Sequence, residues 1–180
     1  MEKIDAKQPA LKIVVTGPES TGKSVLSNWL AAQFGAHWVP EYSRSYLENL
    51  DRNYQQADLD KIAVGQIRSE DDVLNKPGIV ICDTSLEVLK IWSMYKYKSC
   101  SPFILEQNKD RNADLFLLLA PDIPWLSDPL RENPDDRDAL FKLYKQELEV
   151  KTSMVIEIHG NYKLRQQTAW DAINELIASA

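Results

Sequence analysis

The stretch Gly17-Pro18-Glu19-Ser20-Thr21-Gly22-Lys23-Ser24 constrains this chain more than any other feature. It has the form G-x-x-x-x-G-K-[ST], a loop that must follow a strand and open a helix. Both flanks are present. Leu11–Thr16 (LKIVVT) is apolar and β-rich, and an amphipathic helical pattern runs over Lys23–Phe34. Gly17 and Gly22 permit backbone conformations closed to other residues, so the loop can turn its amide hydrogens inward around a phosphate. The helix that follows adds the positive end of its dipole. Glu19, Ser20, Thr21 and Val25 complete the expected nucleotide cradle. Lys23 reaches the β- and γ-phosphates of ATP, and Ser24 offers its hydroxyl to Mg2+.

The rest of the chain repeats the strand-then-helix rhythm. Strand-like runs occur at His37–Pro40, Ile79–Cys82, Leu115–Leu119 and Met154–Ile158. Near-continuous apolar runs, rather than alternating ones, predict strands buried on both faces of a parallel sheet. Helical patterns cover Asp58–Leu74 and Leu86–Tyr97. Another is expected from an Asn133 cap, with Pro134 at the first helical position, to about Val150. The last runs from Tyr162 or Lys163 to Ala178. The expected fold is α/β: a three-layer α/β/α P-loop nucleoside triphosphate hydrolase fold with a mainly parallel five-stranded sheet. Residues 1–180 read as a single domain.

Composition removes several alternatives. A net charge of −6 over 180 residues speaks against a general nucleic-acid binder, which needs a basic face. Two cysteines, Cys82 and Cys100, make neither a disulfide framework nor a four-thiolate zinc site, and suit a reducing cytoplasm. The charged start, Met1 to Lys7, and the brief apolar run after it match neither a targeting segment nor a membrane span. Oligomeric state is left open, a homo-oligomer included.

Among P-loop proteins, a GTPase needs N-K-x-D, and Asn108-Lys109-Asp110-Arg111 lacks the acid at the right place. A small-molecule kinase fits the length. Asp83 ends an apolar strand, where α/β ligands bind, and reads either as a Mg2+ carboxylate or as the cap of the next helix. Glu41 and Arg44, in Glu41-Tyr42-Ser43-Arg44, read either as acceptor-hydroxyl and phosphate contacts or as an exposed ion pair. Pro121, Pro124, Pro129 and Pro134 make 121–137 a loop. Its arginines, Arg131 and Arg137, are lid cations for the transferring phosphoryl group or simple surface residues. The turn at Gly160, with Tyr162 and Arg165, is equally an adenine-facing turn or a plain strand-to-helix turn.

Gly17–Ser24, Glu41-Tyr42-Ser43-Arg44, Gly65-Gln66, Asp83-Thr84 with Lys90-Ile91-Trp92, Asp122-Ile123-Pro124-Trp125 with Asp128 and Arg131, and Gly160 through Arg165 occur in one order. That order resembles the ribosylnicotinamide kinases, the kinase module of the bacterial bifunctional NAD-biosynthesis regulator, from about Leu11 to Ile177. The resemblance implies ATP-dependent phosphorylation of the 5′-hydroxyl of nicotinamide riboside to nicotinamide mononucleotide. It implies Lys23, Glu41, Asp83, Arg131 and Arg137 as catalytic residues. Glu41, Tyr42, Arg44, Trp92, Asp122 and Trp125 would contact the substrate, whose cationic ring suits aromatic faces. Ser85 stands where the family often has a second acid, and Pro129 where Gly is usual. Kinases of another nucleoside-like alcohol, and an ATP-binding regulator with slow hydrolysis, are the alternatives. No adenylyltransferase H-x-G-H can be made from His37 and His159.

Overall fold

A computed structural model describes residues 10–179; the charged start read above lies outside the described residues. Five strands form one sheet: β1 (Leu11–Thr16), β2 (His37–Val39), β3 (Ile79–Asp83), β4 (Leu115–Leu119) and β5 (Met154–Ile158). Their spatial order is β2-β3-β1-β4-β5, and every neighbouring pair is parallel. The expected parallel α/β sheet is therefore observed.

Seven helices are present among the described residues: α1 (Lys23–Phe34), α2 (Tyr42–Glu48), α3 (Gln56–Leu74), α4 (Leu86–Tyr97), α5 (Pro102–Asp110), α6 (Arg137–Glu149) and α7 (Tyr162–Ser179). Successive strand residues face opposite sides of the sheet. Ile13, Val15, Ile81, Leu115 and Leu117 pack with α1 and α7 through Leu26, Leu30, Ala169 and Ile173. Val14, Val80, Cys82, Phe116 and Leu118 pack on the other side with Ile91 of α4 and Leu140 and Tyr144 of α6. Continuous apolar runs were needed because both faces are covered. A third cluster, built on Leu59, Ile62, Leu86, Leu89 and Ile104, joins α3, α4 and α5.

The helices depart from the sequence reading in places. Helix α6 starts at Arg137 with Asp136 at its cap, three residues beyond the predicted cap Asn133. The Asn133 amide is instead held by the Glu19 carboxylate at 2.9 Å, so the chain there follows the phosphate loop. Helices α2 and α5 have no counterpart in the predicted elements. The signal for α5 is local: Ser101 caps the Ile104 amide at 3.2 Å, and Pro102 occupies the first helical position.

β1 has neighbours on both sides, β3 and β4, reached by different crossovers. The crevice beyond its C-terminal end is where such a sheet receives ligands. No helix among the described residues is long and apolar enough to cross a membrane.

Candidate active site

The loop between β1 and α1 forms the floor of a cleft at that end of the sheet. Gly17 has φ +134°, and a Cβ there would lie 2.6 Å from the Leu119 carbonyl oxygen. Only glycine lets the loop leave β1 so close to β4. Ser20 adopts φ +55° and Gly22 +82°. The Thr21 hydroxyl donates to the Pro18 carbonyl at 2.9 Å, and the Lys23 ammonium donates to the same oxygen at 2.7 Å. Burial pulls the Lys23 ammonium below its ordinary pKa, against the attraction of Glu41, Asp83 and Glu19.

The loop is braced from three directions. Arg165 of α7 is 3% exposed. Its guanidinium donates to the carbonyls of Thr21, Ala120 and Gly160, each at 2.7 Å, and to Asp122. At that burial, and outside the cleft lining, Arg165 braces the loop here and presents no open face to a base. The same contact corrects Asp122: its carboxylate receives Arg165 and the Gly160 amide at 2.7 Å, and it does not line the cleft. Gly160 and Tyr162 lie outside the cleft lining too.

The segment 121–136 crosses the loop from above. Glu19 accepts the amides of Glu132 at 3.0 Å and Asn133 at 2.9 Å, and Ser20 Oγ accepts the Leu126 amide at 2.8 Å. Arg137 donates to the Ile123 carbonyl at 3.0 Å and to the Ser20 carbonyl at 3.4 Å. Arg131 reaches the Leu126 carbonyl and Ser20 Oγ. Trp125 lies within 6 Å of both guanidinium carbons and outside the cleft lining, so it braces the arginines. These arginines face the phosphate loop rather than open solvent.

Two carboxylates approach from the sheet edge. Asp83 is 2% exposed and its Oδ1 has no partner. Burial, and then Glu41, push its carboxyl up to about 6, while a hydrogen bond with Ser24 pulls the other way. The cap of α4 is Ser85, so the helix-capping alternative for Asp83 fails. Glu41 caps α2 by position and receives the Ser43 hydroxyl at 2.7 Å. Arg44 pairs with Asp128 at 2.9 Å and with Glu48 at 3.5 Å, so the alternative reading, an ion pair between Glu41 and Arg44, is not what forms. The Leu130 amide and Arg44 hold the Asp128 carboxyl below its usual range.

The same cleft is lined by Val88, Ile91, Trp92, Tyr95, Leu140 and Tyr144, an aromatic and aliphatic chamber, together with Glu41, Arg44, Arg131 and Glu132. Trp92 Nε1 donates to the Tyr54 hydroxyl at 2.9 Å, and that hydroxyl donates to Glu132 at 2.7 Å. Lys96 joins the same group through Tyr54 and Glu132. Tyr42 is not part of this chamber. Its ring packs on α3 at Gly65, where a Cβ would come within 2.1 Å of it. Leu140 and Tyr144 were missed. They share one face of α6 at i and i+4, a pattern that reads simply as core.

The AAA_28 family model, described as an AAA domain, matches residues 12–165. The chain belongs to that family. It is 31% identical over 125 residues to the trifunctional NAD biosynthesis/regulator protein NadR of Salmonella typhimurium, and likewise to that of Escherichia coli. Each match covers 66% of this chain, which spans only 30% of those relatives' length. A crystal structure of NadR protein in complex with NR superposes with TM-score 0.72 at 22% identity, over 93% of this chain and 50% of the other. NadR protein in complex with NAD and AMP-PNP gives 0.70 at 26% identity, over 93% of this chain and 49% of the other. Deoxyadenosine kinase from M. mycoides shares the fold at TM-score 0.61 and 15% identity, over 92% of this chain and 100% of the other.

Proposed function

We propose that this chain is an ATP-dependent kinase that transfers the γ-phosphoryl group to the 5′-hydroxyl of nicotinamide riboside, giving nicotinamide mononucleotide. The observation that carries the reading is one continuous cleft. Its lining includes both the phosphate loop and an aromatic and aliphatic chamber, with Glu41 and Arg44 in the same lining. Similarity to NadR, one structure of which holds NR, favours this acceptor. In this reading residues 121–137 are the lid of a single kinase domain acting in the cytoplasm.

The inward amides of the loop and Lys23 hold the triphosphate tail. Ser24 and Asp83 are the residues suited to Mg2+. Asp83 Oδ1 is buried without a partner, an orphaned carboxylate oxygen that a cation would satisfy. When bound, Mg2+ supplies charge neutralisation across the β- and γ-phosphates. Glu41 orients the acceptor hydroxyl. That oxygen forms the new bond to phosphorus, the bond to the β-phosphate oxygen breaks, ADP leaves, and Glu41 takes the proton, with Asp83 able to exchange that role. Arg44 and Arg131 line the cleft where negative charge spreads in the transition state, while Arg137, outside that lining, supports the loop from the Ser20 carbonyl and adds its charge from behind. Trp92 offers an aromatic face to the pyridinium ring.

ADP release measured with and without nicotinamide riboside tests the reading. Acceptor-stimulated release together with nicotinamide mononucleotide is the expected result. A panel including deoxyadenosine separates the second reading, a kinase of another nucleoside, which the shared fold of deoxyadenosine kinase supports. ATP binding with no stimulation by any nucleoside overturns both in favour of a regulatory ATP binder.

A further inference from the structure

One buried side chain outside the cleft touches the backbone beside both candidate carboxylates. Gln66 of α3 is 3% exposed. Its Oε1 accepts the amide of Tyr42, the residue after Glu41, at 3.1 Å. Its Nε2 donates to the carbonyl of Thr84, the residue after Asp83, at 3.4 Å, and to Glu70 Oε1 at 3.2 Å. The amide has a single workable orientation: a flip would set N–H against the Tyr42 N–H and oxygen against two acceptors.

The surroundings hold Gln66 rigid. Glu70, fully buried, receives Ser85 Oγ at 2.8 Å and the Lys12 ammonium of β1 at 2.6 Å. The Thr84 backbone sits at φ +67°, costly for a β-branched residue, and its amide is pinned to the Val15 carbonyl at 3.0 Å. The Tyr42 ring lies directly on Gly65, the residue before Gln66.

We propose that Gln66 is a positioning residue that fixes the separation between the β2–α2 turn bearing Glu41 and the β3–α4 turn bearing Asp83. It touches neither nucleotide nor acceptor and acts through Tyr42 and Thr84. Its kinetic consequence rests on the kinase reading; its structural consequence does not.

The test compares Gln66→Met, which keeps the volume and removes all three bonds, with Ser85→Ala, which removes a different bond to Glu70 and spares the bridge. Gln66→Met is expected to lower kcat by about 100-fold, the scale of an ångström of misplacement, with KM for ATP nearly unchanged. Ser85→Ala is expected to keep the parent kcat. Crystal structures should show the Tyr42 amide and Thr84 carbonyl moved apart in Gln66→Met only. Unmoved turns, equal losses in both variants, or a loss seated in KM for ATP overturn the assignment. If the parent shows no acceptor-dependent ADP release, the kinase reading fails and the crystallographic separation alone decides the role of Gln66. If Gln66→Met does not fold, Gln66→Asn replaces it: the side chain stays neutral beside Glu70 and, one methylene shorter, can reach the Tyr42 amide or the Thr84 carbonyl but not both. A smaller kcat loss with one of the two turns displaced supports the proposal, and parent kcat with both turns in place overturns it.

Discussion

The two ends of the cleft are built by opposite means. The phosphate end is a run of eight consecutive residues, Gly17–Ser24, whose shape comes from its own backbone angles and whose braces are mostly main-chain contacts. The chamber end draws Trp92 and Tyr95 from α4, Leu140 and Tyr144 from α6, and Glu132 from the segment above the loop. Those residues meet only through tertiary packing, and a chain of hydroxyl, indole and carboxylate contacts joins them. A phosphate is the same in every nucleotide, so a local backbone device suffices for it. An acceptor is particular, and its recognition is left to side chains that can vary without disturbing the cradle.

Four substitutions probe that division, from the largest expected effect to the smallest. Lys23→Ala removes the cation from the β/γ-phosphates, and turnover should fall by about 1,000-fold or more. A purified variant with near-parent activity would break the phosphate half of the comparison. Glu41→Gln should lower kcat by roughly 100-fold while ATP affinity, measured by calorimetry, stays near the parent value. Unchanged turnover would remove Glu41 from the chemistry.

Asp83 sits at the seam between the two ends. Its carboxyl titrates near 6 in the folded protein against 3.8 ordinarily. The folded state therefore holds a proton that the unfolded chain has lost across that window, and stability falls as pH rises through it. In nucleotide- and magnesium-free protein, Asp83→Asn should be more stable than the parent by about 2 kcal/mol at pH 7.5. The gain should vanish below about pH 4, as read by denaturant unfolding. A constant difference at all pH values would sink the assignment. Trp92→Leu should raise KM for a cationic nucleoside by about 10-fold and leave KM for ATP alone. Equal changes in both constants would erase the distinction between the ends.

The same division explains what could be read from sequence. The strands, their parallel sheet and the phosphate loop rest on neighbours in the chain, and periodicity and glycine placement revealed them. The bracing contacts of Arg165 and Asp122 are not legible in the sequence, because their backbone partners are carbonyls and an amide on other loops, which carry no sequence signature. Trp125 was assigned to the substrate for its ring, yet it lies between Arg131 and Arg137. Tyr144 was legible only as one more apolar position on α6. Gln66 was visible within Gly65-Gln66, but its two backbone partners lie 24 and 18 residues away.

Arg165 has a temporal consequence. It belongs to the last helix, yet it clasps Thr21 near the beginning of the chain. While the polypeptide emerges from the ribosome, β1 and its glycine turn can appear early, but the clasp cannot close until α7 has been made. Competence to grip a nucleotide should therefore wait for α7, long after the loop itself has been made, and nascent chains stalled before position 165 should fail to be retained on immobilised ATP.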